Sequence, residues 1–336
     1  AYDLAAKFNA FQRASNLPLF IAADLESGPS MRVRPATAFP GNMGLGATGR
    51  EQDAYDVGTV IALEGRAMGV NVVFAPVVDV NNNPANPIIN IRSFGEDPAR
   101  VGALGGAFVR GLREHGMLAT AKHFPGHGDT GTDSHLALPV IVVGRPRLDS
   151  VELLPFRMTV AAGVDAVMSA HIAMPAVTGS ADLPATLSSA VMDTLLRRDL
   201  HFGGLIVTDA LNMGAIVSKY GAAQSVVMAF KAGADILLMP TDPHQAIEAI
   251  VVAVERGEIS EARLDSSVTR VLQAKSRLGL FRRRLVDLNM IARVVGIQAH
   301  RQLAQDIAQR SLVLVKDSLG MMPLGPERRR RVVVVN

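Results

Sequence analysis

Cysteine is absent from the 336 residues, so the chain can build no disulfide, no thiolate nucleophile and no cysteine-ligated metal site. Tryptophan is missing as well, and aromatic residues amount to 4%. No apolar stretch reaches the roughly 20 residues that span a bilayer, and nothing at the start has the basic, apolar and small-residue regions of a secretory signal. Charge of one sign is also scarce: 34 basic residues against 31 acidic ones leave a net +3. The arginine runs at 282–284 and 328–331 are not interleaved with aromatic residues, so a solvated surface is expected there and nucleic-acid binding is not. What the chain does have is 49% hydrophobic and only 19% charged residues, the composition of a globular protein with a large core.

Short apolar runs alternate with longer amphipathic ones. Leu4, Phe8 and Phe11 recur at helical spacing, which predicts a helix over 2–14. LPLFIAADLESG then reads as a strand ending at Asp24 and Glu26, and VNVVFAPVVDVNNN as one ending at Asp79. Helices over 51–68 and 98–115 precede a strand at 118–121, and a helix near 148–162 precedes VDAVMSAHIAM. Ser188 is placed to cap a helix running to about 198. After it come the strand GGLIVTDALNMG, a helix over 221–232, the strand ADILLMP and two helices covering 244–278. Such alternation argues for parallel strands with right-handed crossovers. Asp24, Asp79, Lys122 with His123, His171 and Asp209 all fall at C-terminal strand ends, and a (β/α)8 TIM-type barrel gathers such residues onto one face.

The barrel is expected over 1–285, with its first strand missing because the chain opens on a helix. A helical linker follows over 286–310. SLVLVKDSLGMMPL and the closing valines read as new strands, so 311–336 is expected to begin a truncated second α/β domain.

The chemistry concentrates between 122 and 135, where three histidines, two aspartates and a lysine share fourteen residues with three glycines. Turn formation alone needs none of those charged groups. Asp209 ends an apolar strand, where a carboxylate is costly to bury unless it is hydrogen-bonded or has a chemical task; one such task is attack on an anomeric carbon. Asp133 stands two residues before His135, the arrangement by which a carboxylate orients an imidazole for acid/base work. His123, His127, Asp133 and His135 could also be imagined around zinc. They lie in one loop without the helical spacing of a metallohydrolase, so no metal and no cofactor are expected.

KHFPGHGDTGTDSH at 122–135 resembles the signature of glycoside hydrolase family 3, in its bacterial β-N-acetylglucosaminidase branch. ADLESG at 23–28, FAPVVDV at 74–80, IRSFGEDP at 91–98, SAHI at 169–172 and VTDALNM at 207–213 are similar to further motifs of the family. The resemblance implies that Asp209 is the catalytic nucleophile, His135 the acid/base and Asp133 its partner. It also implies that Asp24, Arg32, Arg92, Lys122 and His123 hold the sugar, and His171 and Met213 are counted with them. A monomeric, retaining exo-enzyme acting on N-acetylglucosamine-containing muropeptides is the activity it implies. Ser27 and Pro29 depart from the family's glycine pair and following arginine. Ala210 stands where the β-glucosidase branch carries tryptophan, and the lack of aromatic platforms fits a pocket for one terminal sugar. A phosphorylase or β-glucosidase of the same family, or a non-catalytic sugar-binding protein, are the other readings.

Overall fold

The computed structural model describes residues 1–134, 136–318, 320 and 322–323. Five of the apolar runs pair as parallel strands: β1 Ala22–Ala23, β2 Val72–Val73, β3 Leu118–Phe124, β4 Ala166–Ser169 and β5 Leu205–Val207, in that spatial order. A sixth apolar run, ADILLMP, joins β5 through the single parallel pair Val207 and Ile236. Helices Glu51–Ala67, Pro98–Glu114, Leu153–Ala161 and Ala222–Ala232 and the π-helical Ala190–Asp199 fill the crossovers, and Pro243–Glu255 and Glu261–Arg277 follow. This succession is that of a (β/α)8 TIM-type barrel.

Alternation along each strand decides what faces where, because successive side chains point to opposite sides. Val73, Ala119, Ala121, Val167 and Ile206 point outward and pack with Val57, Ile61, Leu104, Phe108, Phe156 and Leu195 of the surrounding helices. Val72, Leu118, Ala166, Met168, Leu205 and Val207 point inward and meet Phe20, Ile236, Val271 and Ala274. The helix Glu261–Arg277 thus covers the inner set directly. Between the first two crossover helices the packing is close. A Cβ on Gly111 would lie 2.1 Å from Tyr55 O, and one on Gly58 2.5 Å from Phe108 O.

The N-terminal ends of the strands carry ion clusters. Asp235, whose side chain is wholly buried, accepts from Arg197, Arg270 and Ser267 and from the Ile206 N–H. Asp165 accepts from Arg113 and the Ala119 N–H and pairs with Arg277. Charge at this end therefore fastens strands to helices, while charge at the opposite end surrounds a cavity.

Several boundaries differ from the sequence expectation. Ser188 does not cap with its hydroxyl; its carbonyl accepts from Val191 N and Met192 N instead. The helix expected near 148–162 is broken into Arg145–Ser150 and Leu153–Ala161. No strand forms among the described residues after 310, and Leu312–Val315 is an extended, exposed stretch. The arginine run at 328–331 and the terminal valines lie outside the described residues. The helix Gln298–Arg310 is not free-standing: Arg310 forms a two-bond pair with Asp53 at 2.7 and 3.1 Å.

Glu64, fully buried, accepts from Thr37 N, Thr37 Oγ1, Gly296 N and His300 Nδ1 at 2.6–3.0 Å. Burial pushes its pKa up, but the His300 and Thr37 bonds and the backbone N–H groups prevail and hold it below the ordinary 4.5. A depressed folded pKa gives stability that is present above the unfolded value and lost as pH falls through the folded one. Thermal melts of wild type and Glu64→Gln should therefore differ most at neutral pH, and the gap should narrow below pH 4.5. A gap that widens on acidification would overturn this account.

Candidate active site

The site grows out of β3. Leu118, Thr120 and Lys122 alternate inward, which would leave His123 facing the outer helices. Pairing with β4 slips between Ala121 and Phe124, so Lys122 and His123 together oppose the single residue Met168 across this bulge. The slip brings Lys122 and His123 to the same cavity. That cavity, of about 680 Å3, is bordered by Asp24, Glu26, Arg32, Arg92, Lys122, His123, Asp209 and Met213, with Phe74, Ile88, Met168 and Leu238 as apolar wall. Its size lies within the range of about 300–1,000 Å3 usual for small-molecule sites. A larger groove of about 860 Å3 between helices Ala222–Ala232 and Pro243–Glu255, lined by apolar side chains and the charged Lys231, Glu248, Arg256 and Glu258, holds none of the candidate residues.

Positive and negative groups alternate along one side of the cavity. Lys122 Nζ donates to Asp24 Oδ1 at 2.9 Å and lies 2.7 Å from Glu26 Oε1. Arg32 reaches Asp24 Oδ2 at 3.0 Å, and Arg92 grips Glu26 with two bonds at 2.8 and 3.0 Å. Burial pushes the Asp24 carboxyl up, yet Lys122 and Arg32 outweigh it; Glu26, opposed by Lys122 and Arg92, is driven far below its ordinary value. Fixed donors and ionised acceptors side by side are the inventory that reads neighbouring hydroxyls.

Asp79, buried, is the hub behind this face. It accepts His123 Nδ1–H at 2.7 Å, His123 N–H and His127 N–H. Arg92 Nη2, which can only donate, faces His123 Nε2 at 3.3 Å, so the ring proton sits on Nδ1. Asp209, at the end of β5, accepts from Ala210 N at 2.8 Å. Burial raises its pKa, but the imidazoles of His123 and His171, the Ala210 N–H and Lys122 prevail and hold it below the ordinary value. It is therefore ionised at neutral pH.

The structure thus brings together Asp24, Arg32, Arg92, Lys122, His123, Asp209 and Met213. His171 does not border the cavity. It is fully buried behind it, between Thr186 Oγ1 at 2.8 Å and Ala210 O at 2.9 Å. Asp133 is half-buried in a turn whose Leu136 and Ala137 N–H groups it accepts through its carbonyl, and the neighbouring Ser134 borders the cavity. His135 lies outside the described residues. Among those described, no group of three His, Asp or Glu side chains is placed to hold a metal ion, and no helix is long and apolar enough to cross a membrane. Glu26, Asp79 and His127 are the residues that motif reading left out of the site. Glu26 and Asp79 each end a predicted strand, which is the signal that could have found them.

A parallel barrel with paired carboxylates and cations around a cavity at the C-terminal ends of its strands defines a barrel protein with a polar small-molecule site. The chain belongs to glycosyl hydrolase family 3, whose N-terminal domain matches residues 3–274. It is 37% identical over 342 residues to a β-N-acetylglucosaminidase/β-glucosidase of Cellulomonas fimi, covering 99% of this chain and 61% of that protein. A family 3 β-N-acetylglucosaminidase from Paenibacillus sp. str. FPU-7 superposes with a TM-score of 0.88 at 43% identity, over 92% of this chain and 60% of that one. The β-glucoside phosphorylase BglX gives a TM-score of 0.91 at 33% identity, over 96% and 61%. The chain therefore spans about three fifths of the length of these relatives.

Proposed function

We propose that this barrel carries the chemistry of a retaining exo-β-N-acetylglucosaminidase that removes terminal β-linked N-acetylglucosamine from peptidoglycan fragments. The observation that carries the reading is Asp209, ionised at the strand mouth and sharing one cavity with the Asp24, Lys122, Arg92 and His123 face. The hydroxyl-reading face holds the sugar. Asp209 attacks the anomeric carbon while the departing glycosidic oxygen takes a proton from His135, which Asp133 orients. Water, giving its proton to His135, then releases the sugar and restores the Asp209 carboxylate. The pocket shape and the lack of tryptophan support action on one terminal residue.

The test is turnover of para-nitrophenyl β-N-acetylglucosaminide beside the matching β-glucoside, with and without phosphate, with the first-formed anomer followed by NMR. The acetamido sugar should be released as the β-anomer without phosphate. A strict phosphate requirement yielding a sugar phosphate would move the protein to the phosphorylase reading, which its likeness to BglX supports. Preference for the glucoside would place it with the β-glucosidases.

A further inference from the structure

The loop that follows β3 is seated by polar groups that the double displacement does not use. His127, Thr130, Ser134 and Asn86 are each no more than 2% exposed. His127 Nε2 lies 3.0 Å from Ser134 Oγ and Nδ1 lies 2.8 Å from Thr130 Oγ1, so both ring nitrogens are partnered. Its backbone N–H donates to Asp79 Oδ1 at 2.7 Å, and Asp79 in turn holds the His123 ring. Asn86 Nδ2 donates to the carbonyls of His127 and Gly128, both at 2.8 Å. Gly128 is pressed so closely on the preceding loop that a Cβ there would stand 1.7 Å from Val80 O.

A buried imidazole with both nitrogens committed needs a reason, since each polar group withdrawn from water must recover its hydrogen bonds. Burial and the neighbouring His123 push the His127 pKa down to about 4 against the pull of Asp79. The ring is therefore neutral near pH 7 and unsuited to trading protons there. Ser134, its partner, stands in sequence between Asp133 and His135, with consecutive Cα atoms about 3.8 Å apart.

We infer that His127 is a positioning residue: through Asp79 it is tied to the sugar-holding His123, and through Ser134 it latches the segment that carries the acid/base pair. This rests on the proposed roles of Asp133 and His135. The latch sets where the proton donor stands when the sugar is bound.

The consequence is a loss that depends on the leaving group. Misplacing a catalytic group by about 1 Å can cost on the order of 100-fold, but only where protonation of the departing oxygen matters. Ser134→Ala should lower kcat/KM at least about tenfold on an alkyl glycoside of whichever sugar the wild type prefers, and less than about threefold on the dinitrophenyl glycoside of the same sugar. Ser134→Thr, which keeps the hydroxyl, should recover the alkyl activity. Equal losses on both glycosides, or no loss on the alkyl one, would overturn the inference. Hydrogen exchange of peptides covering 126–134 needs no substrate and should be faster in Ser134→Ala than in wild type. Unchanged exchange would overturn the latch even if the wild type cleaved neither sugar, an outcome that would separately sink the proposed activity.

Discussion

Asp209→Ala is expected to lose on the order of 10⁴-fold or more in kcat on every glycoside, because no carboxylate remains to form the covalent intermediate. The loss should be nearly independent of the leaving group, unlike that of the Ser134 variant. A good leaving group removes the need for an acid but not for a nucleophile. A small anion such as azide, entering the space of the deleted carboxylate, should restore measurable turnover of the dinitrophenyl substrate and yield the glycosyl azide. Sugar binding should survive, since Lys122 is held by Asp24 and Glu26, and Arg92 by Glu26, rather than by Asp209. Titration of the variant with N-acetylglucosamine checks this. Substantial residual hydrolysis by Asp209→Ala, without azide, would remove Asp209 from the nucleophile's role.

The second large effect is on stability. The Lys122 side chain is 3% exposed and neutralises both Asp24 and Glu26. Lys122→Met keeps the volume and deletes the charge. Leaving a buried charge without its partner costs about 3–5 kcal/mol. The lower end is expected, because Asp24 is 39% exposed and can turn to water, whereas Glu26 is 9% exposed and keeps only Arg92. Glu26 has a strongly depressed pKa in the wild type, opposed by burial and enforced first by Lys122. The stability it contributes is present above the unfolded carboxylate pKa and fades as pH falls toward the folded one. Denaturant unfolding should therefore show the full penalty of Lys122→Met at neutral pH and a smaller one in acid. Adding Glu26→Gln should recover part of it by removing the stranded charge. A single variant as stable as wild type at neutral pH would show that the ammonium is not what holds the two carboxylates.

Much of this site was legible because a parallel strand is buried on both faces, so that its apolar run stops abruptly where a polar loop begins. Asp24, Lys122, His123 and Asp209 stand at such breaks, and all four border the cavity. The supporting residues are another matter. Asp79 acts on backbone groups 44 and 48 positions away, and Glu26 on an arginine 66 positions away. No local pattern encodes a partner at that distance. The barrel was read from the same alternation, yet among the described residues only five runs pair as strands and a sixth joins them through a single bridge. Hydrophobicity could not foretell that a helix, Glu261–Arg277, would face the inner strand surface, because its apolar stripe would pack equally well on the outer one. In the tail, the exposed apolar stretch Leu312–Val315 looked like a strand because β-branched residues suit one, but pairing needs a neighbouring strand and it forms no ladder among the described residues.

The bulge in β3 has an implication for how such a pocket could change its preferences. In an unbroken strand, adjacent residues serve opposite faces, so recruiting a second polar group from the same strand means skipping a position. The slipped register gives two consecutive side chains, an ammonium and an imidazole, to one cavity while Phe124 resumes pairing beside Ser169. Their Cα positions are then adjacent by construction, so the two groups enter the cavity as neighbours. Other positions on the rim, such as Asn212 and Met239, are exposed and lie outside the strand pairing, so they offer room for exchange that the strand itself does not.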